Sequence, residues 1–463
     1  MRLNSFIYVL LLIWLFSSCL VTKKYKQPEL DLNETYRGMS LAEETSLAEM
    51  SWESFFDDEA LKALIHEALN GNFNLLMAYQ QILAAEASFK QGRAEYFPSI
   101  NPNISIEETR MSNLSAFGQL GMGQFTQYSL NGSFAWEPDL WGRITANKNA
   151  VKASMEQAQE DLKAIQTALI ANLATTYFQL LKADAQIELI KMTVANRKES
   201  LMVMEELKTS GRVTEAGVMQ TKAQLHATEA LLVDYGKMQQ LLENTINVLL
   251  GREFQSIPRS QLQKIKMEHP IHTGVPALLL ANRPDVRSAE FSLKGAFELT
   301  NVARANLYPN ISINAGAGLQ SLSSSTWLST DAFLWNAAGN ITQPLFNRRR
   351  NRTALEIAKA QQEQALLNFR KSLVEASTQV SDALINYEAT LTKSAVKKEE
   401  LGALHLAVSY SEDLLASGFG TYLEVLVARD SELAVEINVL DIEAERLSAL
   451  VDLYRALGGG WRF

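Results

Sequence analysis

RAEYFPSINPNISI (93–106) has a near-double in RANLYPNISINAGA (304–317), and the two together decide the fold. Each leaves a charged, helix-forming segment through an aromatic residue and a proline, Pro98 or Pro309, and enters alternating polar and apolar residues. The residue before a proline is pushed out of the α region, so each proline ends its helix. Past Pro98 come Ile104 and Ile106. Beyond the glycine-rich FGQLGMGQF (117–125), Tyr128, Leu130, Gly132, Phe134 and Trp136 alternate with Gln127, Ser129, Asn131, Ser133 and Ala135. Period two predicts a β-hairpin with one apolar and one polar face. Past Pro309, Ile311, Ile313, Ala315, Ala317 and Leu319, then Phe333, Trp335, Ala337, Gly339 and Ile341, predict a second hairpin.

Outward from these stretches the pattern is helical. Leu61, Leu64, Ile65 and Leu69 predict a helix running to about Glu95. Residues 144–208 contain no proline or glycine and predict a helix of roughly 95 Å. TSGRVTEAG (209–217) turns the chain at Gly211, and Leu225, Leu232, Tyr235, Leu242, Ile246 and Leu249 return it to Gly251 with coiled-coil-like spacing. The second half repeats the programme: a long helix from about Thr353 to Ala416, the turn SGFGT (417–421), and a final helix ending at ALGGGW (456–461). Pro309 follows Pro98 by 211 residues and Pro344 follows Pro138 by 206; Gly418 follows Gly211 by 207, as Gly458 follows Gly251. A near-constant offset of this length signals duplication of a large unit.

The expected organisation is a signal peptide over 1–18, an N-terminal segment over 19–60 and a first repeat over 61–251, holding a β-hairpin at 99–137 and a helical hairpin at 144–250. A connector over 252–275 leads to the second repeat over 276–463, with a β-hairpin at 310–342 and a helical hairpin at 353–457.

At the N-terminus Arg2 precedes the apolar run Phe6–Phe16, which spans about 16 Å as a helix, half of a ~30 Å hydrocarbon core. This is a signal-peptide core. FSSC (16–19) resembles a bacterial lipobox, making Cys19, the single cysteine of the chain, the lipidation candidate. The following LVTKKYK lacks an aspartate next to Cys19, which by resemblance to sorted lipoproteins points to an outer membrane. No later stretch offers 18 consecutive apolar residues, so only strands of a closed barrel are left to cross a membrane. Four strands cannot close a barrel, whereas three copies supply twelve.

The formal charge of −9 is dispersed, and no cationic cluster is interleaved with aromatics, so nucleic acid is not an expected partner. His269 and His272 in HPIH lack a third ligand, the thirteen methionines show no recurrent spacing, and no phosphate loop or nucleophile motif occurs. Neither an enzyme, a cofactor nor a metal site is expected.

Several motifs then converge. WESFFDDEALKALIHEALNGNFNL (52–75), WEPDLWGR (136–143), ANRPDVRSAE (281–290), RANLYP (304–309) and ALGGGW resemble the signature of TolC-like outer membrane factors, in their lipoprotein branch. The resemblance covers essentially the whole mature chain. It implies a homotrimer with a twelve-stranded barrel, four strands per chain, continuing into an α-helical periplasmic tunnel. The implied partners are a periplasmic adaptor, an inner-membrane pump of RND or ABC type, and outer-membrane lipid. Leu423 falls on a position resembling the family's hydrophobic constriction; one turn deeper, where the family often has an acid, stands Val427, leaving Glu424 as the nearest carboxylate. The tips Ser210, Gly211, Val213 and Thr214, with Ser417, Gly418, Gly420 and Thr421, are the expected adaptor contacts. Arg283, Pro284, Asp285, Arg287 and Glu290 form a helix-start signature read as a structural ion network. The expected function is the outer-membrane exit duct of a tripartite efflux system for drugs and other small molecules. A duct for ABC-driven protein or peptide secretion shares the fold, and a lipid-anchored periplasmic scaffold would need no barrel.

Overall fold

The computed structural model describes residues 21–28, 47–120, 123–267 and 282–462. The signal segment, Cys19 and the two HPIH histidines lie outside the described residues. In chain order the principal elements are α1 (Trp52–Phe55), α2 (Glu59–Gly71), α3 (Phe73–Ala94), β1 (Ser99–Arg110), α4 (Ala116–Gln119), β2 (Gln124–Trp136), α5 (Arg143–Thr209), α6 (Glu215–Leu250), α7 (Pro284–Ala305), β3 (Asn310–Ser321), β4 (Phe333–Thr342), α8 (Arg350–Ala416) and α9 (Tyr422–Ala456). No described helix is long and apolar enough to cross a membrane.

The chain divides into two units. The first holds the strands with the helix ends next to them, residues 1–29, 82–157 and 289–369. Its four strands form one antiparallel sheet in the order β1-β2-β3-β4. The passage from strand to helix is fixed by side chains. Asp139 accepts from the Ile144 and Thr145 backbone N–H groups at 2.9 and 2.8 Å and so caps α5. The Trp136 indole donates to the Tyr96 carbonyl at 3.0 Å, and the Trp141 indole to the Pro309 carbonyl at 2.7 Å. Between the helices small residues allow close approach: a Cβ on Gly92 would stand 2.8 Å from the Val151 side chain.

The second unit comprises residues 30–81, 158–288 and 370–463. Its core gathers Trp52, Phe55, Leu61, Ile65, Leu173, Phe178, Leu447, Leu450 and Leu453, all buried. Phe55 stacks on Tyr454 with ring centroids 4.0 Å apart, and Tyr454 donates its hydroxyl to the Met50 carbonyl at 2.7 Å. Tyr177 donates to Asp58 at 2.7 Å and accepts from the Ser260 N–H at 3.0 Å, tying the segment after α6 to α5. Burial pushes both phenols above their usual range, so each remains a donor at neutral pH. Arg259 in the same segment pairs with Asp184 and Glu243.

One difference from the sequence reading is local. The helix expected to run unbroken to Glu95 is interrupted at Asn72. Its side chain accepts from the Leu75 N–H at 3.1 Å, starting α3, and donates to the Leu249 carbonyl at 2.8 Å. Next to it the backbone of Gly71 approaches the end of α6, where a Cβ would lie 2.6 Å from the Leu250 carbonyl oxygen.

Candidate functional site: a two-faced sheet and two helical tips

In the sheet the register places like with like. Ile104, Leu130, Leu319 and Phe333 are directly opposed across all four strands, as are Pro102, Gly132, Ala317 and Trp335. Ile100, Phe134, Ala315 and Ala337 form a third row on the same face. The rows alternating with them are largely polar: Ser105, Ser129 and Gln320, then Asn103, Asn131, Gly318 and Leu334, then Asn101, Ser133, Gly316 and Asn336. Ser105 and Ser129 are hydrogen-bonded through their hydroxyls at 2.6 Å. The apolar face is open over most of its extent, for Ile100, Ile104, Ile106, Phe333, Trp335 and Ile341 are all exposed; at its far end the Trp327 ring lies against Tyr128, centroids 5.9 Å apart. Among the described residues no strand pairs with the outer edge of β1 or of β4. An apolar sheet face open to its surroundings, with two free edges, is unstable in water and suited to hydrocarbon once the edges are closed.

The two helical tips lie in the second unit, and both are built by the same backbone device. At the first, Gly211 takes φ 75° after α5; its N–H bonds to the Lys208 carbonyl at 2.9 Å, and the Arg212 N–H to Leu207 at 2.9 Å. At the second, Gly418 takes φ 79°; its N–H bonds to Leu415 at 3.1 Å, and the Phe419 N–H to Leu414 at 3.0 Å. Only glycine adopts this left-handed C-cap without penalty. Ser210, Gly211, Thr214, Ser417, Gly418 and Thr421 are exposed, Val213 and Gly420 half-buried. Phe419 stands 87% exposed at the second tip. Leu423, the second residue of α9, is 60% exposed, and Val427 one turn on is also exposed. Glu424 folds back to accept the Thr421 N–H at 2.8 Å, so its carboxylate caps α9.

A polar bridge behind these tips escaped the sequence reading. Arg197 on α5 donates to Asp430 on α9 at 2.5 Å and to the Gln224 carbonyl on α6 at 3.0 Å, while the Gln224 amide donates to the other Asp430 oxygen at 2.5 Å. Arg429 turns the other way, to Glu412 on α8 at 2.8 Å and to Ser200 on α5 at 3.2 Å. The two helical hairpins are thereby linked through adjacent residues of α9.

The helix-start signature also has partners. Pro284 is the first residue of α7. Arg283, buried, donates to the Ala456 carbonyl at 2.9 Å, to Gln379 at 2.9 Å and to both Asp285 oxygens at 3.0 and 2.5 Å. Burial opposes the charge on Asp285, but the hydrogen bonds and charge of Arg283, with the backbone N–H groups of Val286 and Asp285, together outweigh it and hold the carboxyl below its usual range. Arg287 reaches the buried Glu160 at 3.3 Å. Glu290, in the first unit, adds to the effect of burial in pushing the Tyr25 phenol up to about 12. Among the described residues no three histidine, cysteine, aspartate or glutamate side chains gather as a metal site would require.

Comparison with known proteins brings these features together. A family model described as outer membrane efflux protein matches residues 64–252 and again 275–459, one match per repeat. The toluene efflux pump outer membrane protein TtgI of Pseudomonas putida is 29% identical over 456 residues, covering 96% of each chain. The probable outer membrane lipoprotein SilC of Salmonella typhimurium is 27% identical over 419 residues, covering 90% of this chain and 89% of that one. Among solved structures, a membrane protein from Pseudomonas aeruginosa superposes with a TM-score of 0.88 at 26% identity, covering 95% of this chain and all of the other. The strand and helix architecture expected from the sequence is the one this solved structure shares.

Proposed function

Because the chain belongs to the outer membrane efflux protein family, we propose that it is the outer-membrane exit duct of a tripartite efflux system, three copies closing one barrel around one passage. The observation that carries this reading is the sheet, whose apolar face is largely open and whose edges β1 and β4 pair with no other strand among the described residues. Pairing β4 of one copy with β1 of the next closes twelve strands and satisfies every edge group, as hydrocarbon demands. The apolar rows then face lipid and the serine, asparagine and glutamine rows face the lumen.

Transport through such a duct is passive. An inner-membrane pump, reached through a periplasmic adaptor, supplies the work, and this chain supplies the walls and a door. TtgI, an efflux pump protein for toluene, supports small molecules as cargo. The tips around Gly211 and Gly418 meet the adaptor, with Phe419 as the apolar anchor. Leu423 from three copies forms the resting constriction and blocks ions by excluding water. Since Glu424 is engaged in capping α9, the constriction is hydrophobic rather than an acidic filter.

Cys19 carries the lipid anchor. The strap after it is seated on α7, where Asn301 accepts from the Lys23 N–H at 3.1 Å and donates to the Lys23 carbonyl at 2.9 Å. Lys23 follows Cys19 by four residues, at most about 14 Å of extended chain, so the lipid enters next to the strand bases.

Planar-bilayer recording of the purified protein tests the reading. The wild type shows rare, small openings, and Leu423→Ser raises the mean conductance severalfold. A wild type and a variant that both leave the bilayer electrically silent would overturn the duct.

A further inference from the structure

We infer that the strand-to-helix junction of the second repeat, QPLFNRRRNR (343–352), is a docking surface for anionic phospholipid headgroups. The inference rests on the reading of the sheet as a barrel wall, which puts the end of β4 at a membrane surface. Leu345 and Phe346 are 93% and 91% exposed. Directly behind them Arg348, Arg349, Arg350 and Arg352 are exposed as well. Arg349 is paired with Glu356 at 2.9 Å; among the described residues no carboxylate lies within ion-pair distance of the other three.

The backbone here is unusual for arginine. Arg348 and Arg349 take φ 54° and 67°, and they are the only residues other than glycine with positive φ among those described. The first repeat supplies the control. Gly142 precedes Arg349 by 207 residues, the same offset that separates Gly211 from Gly418, and it takes φ 76°. The duplicated junction thus keeps the left-handed turn, but where the first copy uses the residue that adopts it freely, the second holds two guanidinium groups in it at a cost. Strain retained at one copy of a repeat marks a side chain required for something else.

The surroundings point to a phosphate-rich plane. Asn351 donates to the Asn306 carbonyl at 2.7 Å and Gln343 to the Leu307 carbonyl at 3.1 Å, so the junction rests on the end of α7. Asn301, just over one turn earlier on α7, holds the strap that exposes Lys23, Lys24 and Lys26. Guanidinium groups pair with phosphate through two parallel hydrogen bonds, and exposed leucine and phenylalanine beside a cationic row insert at the headgroup boundary. Each cation near an anionic leaflet favours association roughly fivefold.

The test uses a variant carrying Arg348→Gly, Arg349→Gly, Arg350→Gln and Arg352→Gln, in which the glycines relieve the strained turn. Wild type and variant are reconstituted in nanodiscs of phosphatidylcholine and phosphatidylglycerol in equal amounts, and the lipid retained by each purified trimer is measured by mass spectrometry. The wild type should enrich phosphatidylglycerol severalfold, and the variant should fall to the bulk ratio while keeping its trimeric mass and its melting temperature in neutral detergent. Equal enrichment in both would overturn the inference, and so would a variant that dissociates to monomers, since the arginines would then hold a neighbouring copy. Loss of enrichment with bilayer conductance intact leaves the duct untouched; a wild type that forms no trimer removes the barrel reading and this inference with it.

Discussion

Asn72 and Arg283 perform one task in the two halves of the chain with different chemistry. Asn72, before α3, donates to the Leu249 carbonyl near the end of α6; Arg283, before α7, donates to the Ala456 carbonyl at the end of α9. Residues 72 and 283 are related by the 211-residue offset of the prolines, and 249 and 456 by the 207-residue offset of the glycines. Duplication preserved which helix end is tied to which helix start. It did not preserve charge: the first tie is a neutral amide, and the second is a buried guanidinium whose remaining donors engage Asp285 and Gln379. The helix-start signature legible in the sequence is thus the charged copy of a joint whose other copy is nearly silent.

The largest effect expected from this pairing is at the glycines ending α6 and α9. A Cβ at Gly251 would stand 2.1 Å from the Gly71 carbonyl oxygen, and one at Gly458 would stand 2.5 Å from that of Asn282, both with positive φ. Gly251→Ala and Gly458→Ala should each destabilise by about 3–5 kcal/mol, measured as loss of trimer on heating in detergent. If one is tolerated, the two joints are not equivalent.

Next, the ties themselves should separate. Arg283→Ala removes a buried, multiply bonded cation and should cost about 3 kcal/mol, whereas Asn72→Ala should cost about 1–2 kcal/mol. Equal melting shifts would deny that charge distinguishes the copies. The tips offer the opposite case: Cβ atoms at Gly211 and Gly418 would meet nothing within 4 Å, so alanine at either pays only for the left-handed backbone, about 1–2 kcal/mol, and equally.

The smallest effect concerns pH. The folded-state pKa of Asp285 is depressed, so its stabilisation is present above the unfolded value near 3.9 and is lost as pH falls through the folded value. Half of the side chain is exposed, so solvent screening keeps this contribution small. Melting followed from neutral pH down to about 3 should show this loss in the wild type and not in Asp285→Asn. Asn72, the matching residue of the first joint, has no ionisable side chain.

How much of this could be read beforehand depended on sequence distance. The hairpins and the glycine tips are written in local periods and punctuation among residues close in the chain, and the duplication shows as the same local punctuation recurring at one offset. The break at Asn72 was also signalled, by Asn70, Gly71 and Asn72 inside an apolar repeat, but apolar periodicity continued across it and masked the stop. Thr421 and Glu424 stand at capping-box spacing, so the capping role of Glu424 was legible too. The bridge of Arg197, Gln224 and Asp430 had no such signal, because Arg197 and Asp430 are 233 residues apart and their pairing exists only once the two helical hairpins are packed.

The central claim is that the two free edges of this sheet are closed by two further copies of the same chain. Single-particle imaging of the detergent-extracted, full-length protein tests it most directly. Hollow particles with threefold symmetry are expected, with density continuous between β4 of one copy and β1 of the next. Compact single chains without a lumen would contradict it.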